Sequence, residues 1–453
     1  MPPRLRLNRL LACALLVALA ACARPPAERL PLRDLVLLPQ DVRFFVPEAR
    51  LHEPLIPPDR RDALAQAFLR EHFAPWHRQR AAASADLAFW ALASFKGKVL
   101  FGENTLPLDA GFLGRMREAC RVEAYPDQAR PAVAVQSVSL RALPTGRPVF
   151  FDFARAGQGF PFDQAQDALI PAGTPLLVTH ESADGAWLLV ESRFNVGFLP
   201  ASAVAFAGEE FRREFEGQKL AAFLRDDVPV RDQNGVFRFL GRVGLVLPLA
   251  AEDDFGLEAL VPVRGLDGTA GIVRARLSRQ DAAPLPLAAT PANLARVADG
   301  LLGRAYGWGG LFEDRDCSST LQDLFATLGV FLPRNSRQQA ALGRVTPLAN
   351  LAAEDKRRLI LASPPLLTLI AKPGHIMLYL GPVPEGVAGL SGEPAVLHTV
   401  WGLRSRDARG AEGRLVIGKT AITTLAPGRE QPDIDWPRAS LLEGASAVTV
   451  IGQ

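Results

Sequence analysis

Cysteine is scarce in this chain, with four residues among 453. Cys13 and Cys22 lie in the N-terminal segment, which leaves Cys120 and Cys317 for the folded part. Two thiols in an oxidising compartment could form one disulfide, and the alternative is that both stay reduced. Because no further partner exists, the count is consistent with a free thiol at Cys317.

An excess of charge is also missing. The 51 basic and 48 acidic residues give a net charge of +3, and the first 21 residues hold Arg4, Arg6 and Arg9 but no acid. The rest of the chain is therefore near neutral, which gives no electrostatic case for nucleic-acid binding. The glycine-rich turn at 307–310 lacks the Gly-Lys-Ser/Thr of a phosphate loop. His72 and His77 flank a Pro-Trp pair and are poorly spaced for a metal. We expect His52, His72, His77 and His180 to be structural, and we predict neither a metal nor a cofactor.

Long apolar runs are absent after residue 21. The run from Leu10 to Leu19 is too short to span a bilayer and follows a basic segment, as in a signal peptide. It ends in Leu19-Ala-Ala-Cys22, which resembles the lipobox of bacterial lipoproteins, and the alternative is an ordinary secretory signal. The resemblance implies lipidation of Cys22, and Ala23 after it favours the periplasmic face of the outer membrane. Several acyl chains would anchor the protein stably.

The roughly 430 remaining residues are too many for one core and predict several domains. The N-terminal part of the chain shows helical periodicity. It predicts helices over 58–95, with a break at Ala74-Pro-Trp, and over 111–120. Short apolar runs between turns follow, which is typical of small barrels. Their expected strands cover 132–135, 148–151, 175–179, 186–190, 195–199, 228–230, 243–247, 257–261 and 271–273. The fold class is α+β, and the predicted divisions are 1–21 signal peptide, 22–32 tether, 33–130 helical domain, 131–208 and 209–281 barrels, 282–290 proline-rich linker and 291–453 final domain.

The final domain carries the candidate chemistry. Asp316 is a plausible N-cap for a helix that begins at Cys317 and stops at Gly329. A thiol in the first helical turn meets backbone N–H groups and the positive end of the dipole, so we expect a lowered thiol pKa there. The same N–H groups could hold an oxyanion. The order of a cysteine followed by histidines is papain-like.

Two later histidines lie on predicted strands, His375 in 373–381 and His398 in 396–401. If these strands pair as a hairpin, the two rings lie side by side. His375 would then accept the thiol proton and later protonate a leaving amine. His398 would fix its tautomer, the role that an Asp or Asn takes elsewhere. The set Cys317, His375 and His398 therefore indicates a thiol hydrolase.

The motifs resemble those of the NlpC/P60 cysteine peptidases. They are Tyr306-Gly-Trp-Gly-Gly310, Asp316-Cys-Ser318, Leu332-Pro-Arg334 and Gly374-His375 followed by Tyr379-Leu-Gly381. Residues 180–187 resemble the Ser-x-Asp-Gly-x-Trp turn of bacterial SH3 (SH3b) domains. The resemblance extends to the order of a stabilising domain, two SH3b domains and a papain-like peptidase domain. For Trp187 we weigh a barrel-core position against a ligand contact, and favour the core.

The resemblance implies a cell-wall endopeptidase that cleaves the bond between γ-D-glutamate and a diamino acid in peptidoglycan stem peptides. It implies Cys317 as nucleophile, His375 as base and His398 as third member. The implied substrate-binding residues are Tyr306, Trp308, Asp316, Ser318 and Ser336. In some relatives the first SH3b domain closes the cleft against all but a free L-Ala amine. The SH3b aromatic that would clasp this amine is not located in the sequence, and the strand that normally ends in Gly-Trp-Val reads Gly197-Phe-Leu.

Two rival functions differ in class. A non-catalytic SH3b lipoprotein would hold wall peptide without cleaving it, and an intact Cys/His/His set argues against this. An acyltransferase of the permuted relatives would place His before Cys. Here Cys317 precedes both histidines, which disfavours that function.

Overall fold

The computed structural model describes residues 31–452, so the predicted signal peptide and Cys22 lie outside the described residues. Its helices are α1 (Arg33–Leu37), α2 (Pro58–Phe73), α3 (Ala85–Ala88), α4 (Trp90–Phe95), α5 (Phe112–Cys120), α6 (Glu209–Glu216), α7 (Pro291–Asp299), α8 (Cys317–Thr327), α9 (Ser336–Gln339) and α10 (Ala353–Leu361). The predicted break after α2 is present as a 3-10 turn at Ala74–His77, where Pro75 cannot continue the hydrogen-bond ladder.

The first barrel is a seven-stranded sheet in the order β3-β2-β6-β5-β4-β1-β7. Its strands are β1 (Arg130–Ala134), β2 (Val138–Arg141), β3 (Gln166–Ile170), β4 (Pro175–Glu181), β5 (Trp187–Glu191), β6 (Val196–Pro200) and β7 (Val204–Phe206). The strand predicted at 148–151 is wrong: Phe150 makes one isolated bridge to Phe101 in the helical domain. Trp187 packs beside a core cluster and stays partly exposed.

The second barrel contains a five-stranded sheet, β13-β12-β11-β8-β14, and a hairpin of β9 and β10. Its strands are β8 (Lys219–Phe223), β9 (Val228–Arg231), β10 (Phe237–Gly241), β11 (Val246–Asp253), β12 (Gly256–Arg264), β13 (Ala270–Leu277) and β14 (Ala282–Pro284). The start of the predicted linker is thus a strand, since Ala282–Pro284 pairs with β8. Proline is tolerated there because β14 lies at the sheet edge.

The final domain is built on a six-stranded antiparallel sheet, β15-β20-β16-β17-β18-β19. The strands are β15 (Arg344–Pro347), β16 (Thr368–Lys372), β17 (His375–Pro382), β18 (Pro394–Arg406), β19 (Glu412–Thr424) and β20 (Ala447–Val450). The apolar face of α8, with Leu321, Leu324 and Phe325, packs in one cluster with Ile376 and Leu378 of β17. This packing fixes the first turn of α8 against the start of β17.

The N-terminal segment is fastened to this sheet. Asp34 of α1 is buried and accepts hydrogen bonds from the backbone N–H (2.6 Å) and the hydroxyl (2.7 Å) of Thr424 in β19. Leu38, Val42 and Phe45 share a core cluster with α8. The helical domain therefore supports the strand that ends beside the histidines.

Within residues 31–452, no helix has the length and apolarity needed to cross a membrane. The same residues contain no group of three or more His, Cys, Asp or Glu side chains placed to hold a metal ion. His180 is buried, with Nε2 2.9 Å from the carbonyl oxygen of Cys120 and Nδ1 3.1 Å from Asp127. Its setting is that of a structural histidine, as the sequence predicted.

Candidate active site

Cys317 is the first residue of α8. Asp316 caps the helix: its Oδ1 accepts from the backbone N–H of Ser319 at 2.9 Å, and its own N–H donates to the Ser319 hydroxyl at 2.9 Å. The backbone N–H of Thr320 donates to the carbonyl of Asp316. The first N–H groups of the helix, those of Cys317 and Ser318, are left at the helix end beside the sulfur, where they can meet a developing oxyanion.

The expected lowering of the thiol pKa is wrong. Burial, and then the negative charge of Asp316, raise the pKa of Cys317 to about 12, against smaller opposing contributions from the N–H groups of Ile376 and Ser318. Desolvation therefore outweighs the helix end. The side chain of Cys317 is therefore a neutral thiol at neutral pH. Both Cys317 and Cys120 are free and buried, so no disulfide joins them.

The hairpin of β17 and β18 brings the two histidines together, as expected. His375 Nε2 lies 2.9 Å from His398 Nδ1, and His398 Nε2 lies 3.1 Å from the hydroxyl of Thr423. The Thr423 hydroxyl donates to the carbonyl of Thr424 at 2.8 Å, so it can only accept from His398. His398 therefore carries its proton on Nε2, and its Nδ1 accepts from His375 Nε2–H. This order leaves the Nδ1 lone pair of His375 free to accept a proton.

Both rings are held neutral. Burial and the charge of Lys372 lower the pKa of His375 to about 4. Burial and the neighbouring His375 lower the pKa of His398 well below its ordinary value. His375 is thus available as a base over most of the pH range, and Thr423 is a positioning residue that the sequence analysis missed.

Cys317 and His375 open into a cavity of about 720 Å³. All the predicted substrate-binding residues line it, namely Tyr306, Trp308, Asp316, Ser318 and Ser336. His398 is fully buried behind His375 and does not line it. The structure thus brings every predicted site residue except Cys22, which lies outside the described chain, to one place.

Asp316 and Ser318 are held by Arg334. The guanidinium donates to Asp316 Oδ2 at 2.6 Å and to the Ser318 hydroxyl at 3.0 Å, and Ser318 donates to Asp316 Oδ1 at 3.2 Å. Burial alone would raise the pKa of Asp316, but Arg334 outweighs it and keeps that pKa below its ordinary value. A carboxylate therefore stays ionised next to the nucleophile.

The first barrel forms one wall of the cavity. Gln166 of β3 donates to the carbonyl of Gly309 at 2.8 Å. A Cβ on Gly309 would lie 2.7 Å from the Gln166 carbonyl, and one on Gly310 would lie 2.6 Å from Leu169. Both glycines have positive φ, 60° and 86°. The Tyr306-Gly-Trp-Gly-Gly turn is therefore glycine-rich because β3 lies directly against it.

This wall supplies two further residues that the sequence analysis missed. The carboxylate of Asp167 in β3 accepts from Asn195 at 2.6 Å and lines the cavity. Burial raises the pKa of Asp167 to about 6, with Arg334 opposing and Asp316 adding to the rise. Phe162 makes an edge contact with Trp308, with ring centroids 5.2 Å apart. Asp167 lies in a strand that the hydrophobic pattern did not reveal, so no sequence signal marked it.

The second barrel does not reach the cavity among the residues described here, but it holds α8 from behind. Arg315 makes a bidentate pair with Asp226 (2.6 and 2.9 Å) and donates to Asp323 of α8 at 2.7 Å. Arg242 adds a bond to Asp323 at 3.0 Å. Burial alone would raise the pKa of Asp226, but Arg315 lowers it to about 2. The network locks the helix that carries Cys317.

Four basic residues also line the cavity, namely Lys372, Arg404, Arg414 and Arg438. Lys372 lies directly across from His375 in the pairing of β16 and β17. Arg404 and Arg414 face each other across β18 and β19. The sequence analysis assigned no role to these residues.

Four family models match the chain in succession. They are described as the NlpC/P60 stabilising domain (10–125), an SH3 domain of SH3b1 type (148–200), an SH3 domain of SH3b2 type (210–254) and the NlpC/P60 family (303–405). No curated protein matches the chain.

Two solved structures are similar to the chain. An NlpC/P60 endopeptidase from Photobacterium damselae subsp. piscicida is 22% identical, with a TM-score of 0.83 over 94% of this chain and 98% of that chain. An NlpC/P60 family protein from Bacillus cereus is 14% identical, with a TM-score of 0.47 over 70% and 98%. The first likeness shows the same fold along almost the whole chain. The chain therefore contains a stabilising domain and two SH3b domains ahead of an α+β domain of the NlpC/P60 family.

Proposed function

We propose that the protein is a cell-wall endopeptidase that hydrolyses the bond between γ-D-glutamate and a diamino acid in peptidoglycan stem peptides. The observation that carries the proposal is that Cys317, at the start of α8, lines one cavity with His375, which is hydrogen-bonded to the buried His398 and through it to Thr423. This is the set of groups that thiol-dependent acyl transfer requires.

In the first half of the reaction, the thiol proton passes to Nδ1 of His375 while the sulfur attacks the γ-carbonyl carbon of the glutamyl residue. The oxyanion forms at the N-terminus of α8, beside the Cys317 and Ser318 N–H groups. The imidazolium then gives its proton to the departing amine of the diamino acid, and a thioester remains on Cys317.

In the second half, His375 takes a proton from water, whose oxygen attacks the thioester carbonyl. The tetrahedral intermediate collapses, the carboxylic acid leaves and the sulfur regains its proton. Because burial holds the thiol and the imidazole neutral before substrate binds, proton transfer accompanies attack. His398 and Thr423 stabilise the imidazolium by presenting oriented acceptors.

The amino-terminal end of the substrate belongs at the first-barrel wall. Asp167 and Asp316 place two carboxylates there against the single guanidinium of Arg334. Phe162 and Trp308 add aromatic faces, on which a cation is also stabilised. A substrate with a free L-Ala amine would supply the missing positive charge. We therefore propose released stem peptides as the preferred substrates.

We also propose that the mature chain is lipid-anchored at Cys22, on the periplasmic face of the outer membrane. The lipobox-like Leu19-Ala-Ala-Cys22 supports this. Metabolic labelling with a fatty acid would give a labelled wild-type band and an unlabelled Cys22→Ala band. Equal labelling of both proteins would contradict the anchor.

The test of the catalytic proposal compares wild type, Cys317→Ala and Cys120→Ala on the tripeptide L-Ala-γ-D-Glu-diaminopimelate, with mass spectrometry of the products. Cys317→Ala should lose at least about 10³-fold in kcat because the nucleophile is gone. Cys120→Ala is the matched control, since Cys120 is also a free, buried cysteine but lies in the helical domain at the end of α5. Zero turnover by all three proteins, with retained peptide binding, would favour the rival wall-binding role.

A further inference from the structure

β19 forms one edge of the peptidase sheet, and part of that edge is covered by side chains from the start of the described chain. The side-chain amide of Gln40 accepts from the backbone N–H of Ile422 at 2.8 Å and donates to the Ile422 carbonyl at 3.0 Å. Asp34 Oδ2 accepts from the backbone N–H of Thr424 at 2.6 Å and from the Thr424 hydroxyl at 2.7 Å. Two alternate residues of the edge are therefore held where a further strand would otherwise pair.

The residue between these two held positions is Thr423, whose hydroxyl accepts from His398 Nε2–H at 3.1 Å. The hydroxyl can accept from the imidazole because its own proton is donated to the carbonyl of Thr424 at 2.8 Å. Asp34 thus holds the residue whose carbonyl sets the direction of the Thr423 proton. Gln40 holds the chain on the other side. The position of the Thr423 hydroxyl relative to His398 therefore depends on both side chains.

Burial makes this series of contacts sensitive to the loss of any member. Its inner members are each 2% exposed or less, namely Asp34, Thr424, Thr423 and His398. A buried donor that loses its partner is not readily satisfied by water, so the remaining groups rearrange to pair again. Leu38 and Val42 share one core cluster with Ile422 of β19 and Leu321 of α8. The segment that carries Asp34 and Gln40 is therefore packed against both elements of the site.

We infer that Asp34 and Gln40 are positioning residues for the histidine pair and act on it through Thr423. The inference rests on the proposed function, since it takes His375 as the base. Without either contact the Thr423 hydroxyl can turn and donate to His398 Nε2, which moves the His398 proton to Nδ1. His398 Nδ1–H then donates to His375 Nε2, and the proton of His375 moves to its own Nδ1. In that tautomer His375 cannot accept the thiol proton, so the reaction loses its base.

The first experiment reads the tautomer apart from turnover. Wild type, Asp34→Ala and Gln40→Ala carrying ¹⁵N-labelled histidine are compared by two-bond nitrogen–proton correlation spectra, and a His398→Gln sample assigns the signal. Wild type should show His398 with its proton on Nε2 alone, and each variant a mixture of the two tautomers. Asp34→Asn keeps an oxygen that can accept from Thr424, so it should restore the wild-type spectrum. Gln40 is exposed, so Gln40→Ala should fold and decides the question even where loss of the buried Asp34 prevents folding.

Kinetics on the tripeptide L-Ala-γ-D-Glu-diaminopimelate then test the route. Each alanine variant should lower kcat about tenfold and leave KM unchanged, because the wrong tautomer removes the base and not a substrate contact. In a Thr423→Val background, which lacks the hydroxyl, Asp34→Ala should lower kcat by less than about a further twofold, since the two residues act in series. Full, multiplied losses in the double variant would show that Asp34 does not act through Thr423.

The matched control is Asp299→Ala, which loosens the same segment at another place. Asp299 Oδ1, at the end of α7, accepts from the backbone N–H of Val42 at 2.7 Å. This variant should keep the wild-type tautomer and kcat. A single Nε2–H tautomer of His398 in Gln40→Ala, or an equal loss of kcat in Asp299→Ala, would overturn the inference. Failure of wild type to cleave the tripeptide would count against the proposed hydrolysis alone, because the His398 tautomer is read without substrate.

Discussion

The two SH3b domains contact the peptidase domain in different ways. The first barrel presents β3 to the catalytic cavity, with Asp167 lining the site and Gln166 bonded to Gly309. The second barrel presents buried charges to the back of α8, where Asp226 and Arg242 join Arg315 and Asp323. One copy of the module thus shapes the site and the other supports the helix that carries the nucleophile.

Glycines mark both contacts. On the first barrel's side, Gly309 and Gly310 of the peptidase domain leave room for β3. On the second barrel's side the glycine belongs to the barrel: a Cβ on Gly244 would lie 2.5 Å from the Cα of Asp323. In both places backbone meets backbone closely, so the difference between the barrels lies in the side chains that they deliver and not in how tightly they pack.

The largest effect is expected from breaking the charge network between the second barrel and α8. Arg315→Met would leave the buried carboxylates of Asp226 and Asp323 without their common partner, since the Arg315 side chain is 4% exposed. Removing one partner from such a network costs about 3 to 5 kcal/mol of unfolding free energy. Urea denaturation followed by fluorescence measures this. An unfolding midpoint equal to that of wild type would show that the second barrel does not support α8 through these charges.

The next effect concerns the first contact. Asp167→Asn keeps an oxygen that can accept from Asn195 but removes the negative charge facing the substrate amine. Loss of one charged hydrogen bond should lower kcat/KM for a free-amine tripeptide about 10- to 100-fold, with the unfolding midpoint unchanged. The N-acetylated tripeptide, a poor substrate in both proteins, is the matched control. If kcat/KM fell equally for both substrates, Asp167 would not be recognising the amine.

The sequence pattern predicted the local elements of the peptidase domain well, but it did not predict which barrel residues would contact the cavity. The N-cap at Asp316, the helix from Cys317 and the His375–His398 hairpin follow from local periodicity and turn residues, which act over a few neighbours. Asp167 and Thr423 could not be found this way, because each acquires its role from contacts across domains or strands. The thiol pKa was predicted with the wrong sign, since the helix end is local but burial is set by the whole fold. The divisions proposed between domains remain predictions.

A smaller effect separates, by pH, the amine-binding role of Asp167 from the proton-accepting role of His375. In the free enzyme the pKa of Asp167 is about 6 and that of His375 about 4. Asp167 binds the amine as the carboxylate, so kcat/KM for the free-amine peptide should fall as the pH drops through about 6. In Asp167→Asn the fall of kcat/KM on the acidic side of the pH profile should move down toward about pH 4, where the His375 base is protonated. If the fall stayed near pH 6 in this variant, Asp167 would not be the group that titrates in the substrate-binding step.

The smallest expected effect sharpens the contrast between buried and exposed charges at the second barrel. Arg304 lies near the same Asp226, at 3.7 Å, and pairs with Asp227 at 2.5 Å, but its side chain is 42% exposed. Solvent screens such a pair, so Arg304→Gln should change the unfolding free energy by less than about 1 kcal/mol. The urea midpoint and its salt dependence, measured beside Arg315→Met, make the comparison. If Arg304→Gln destabilised as much as Arg315→Met, net charge at this interface would matter more than burial, and the support of α8 could not be assigned to the Arg315 network alone.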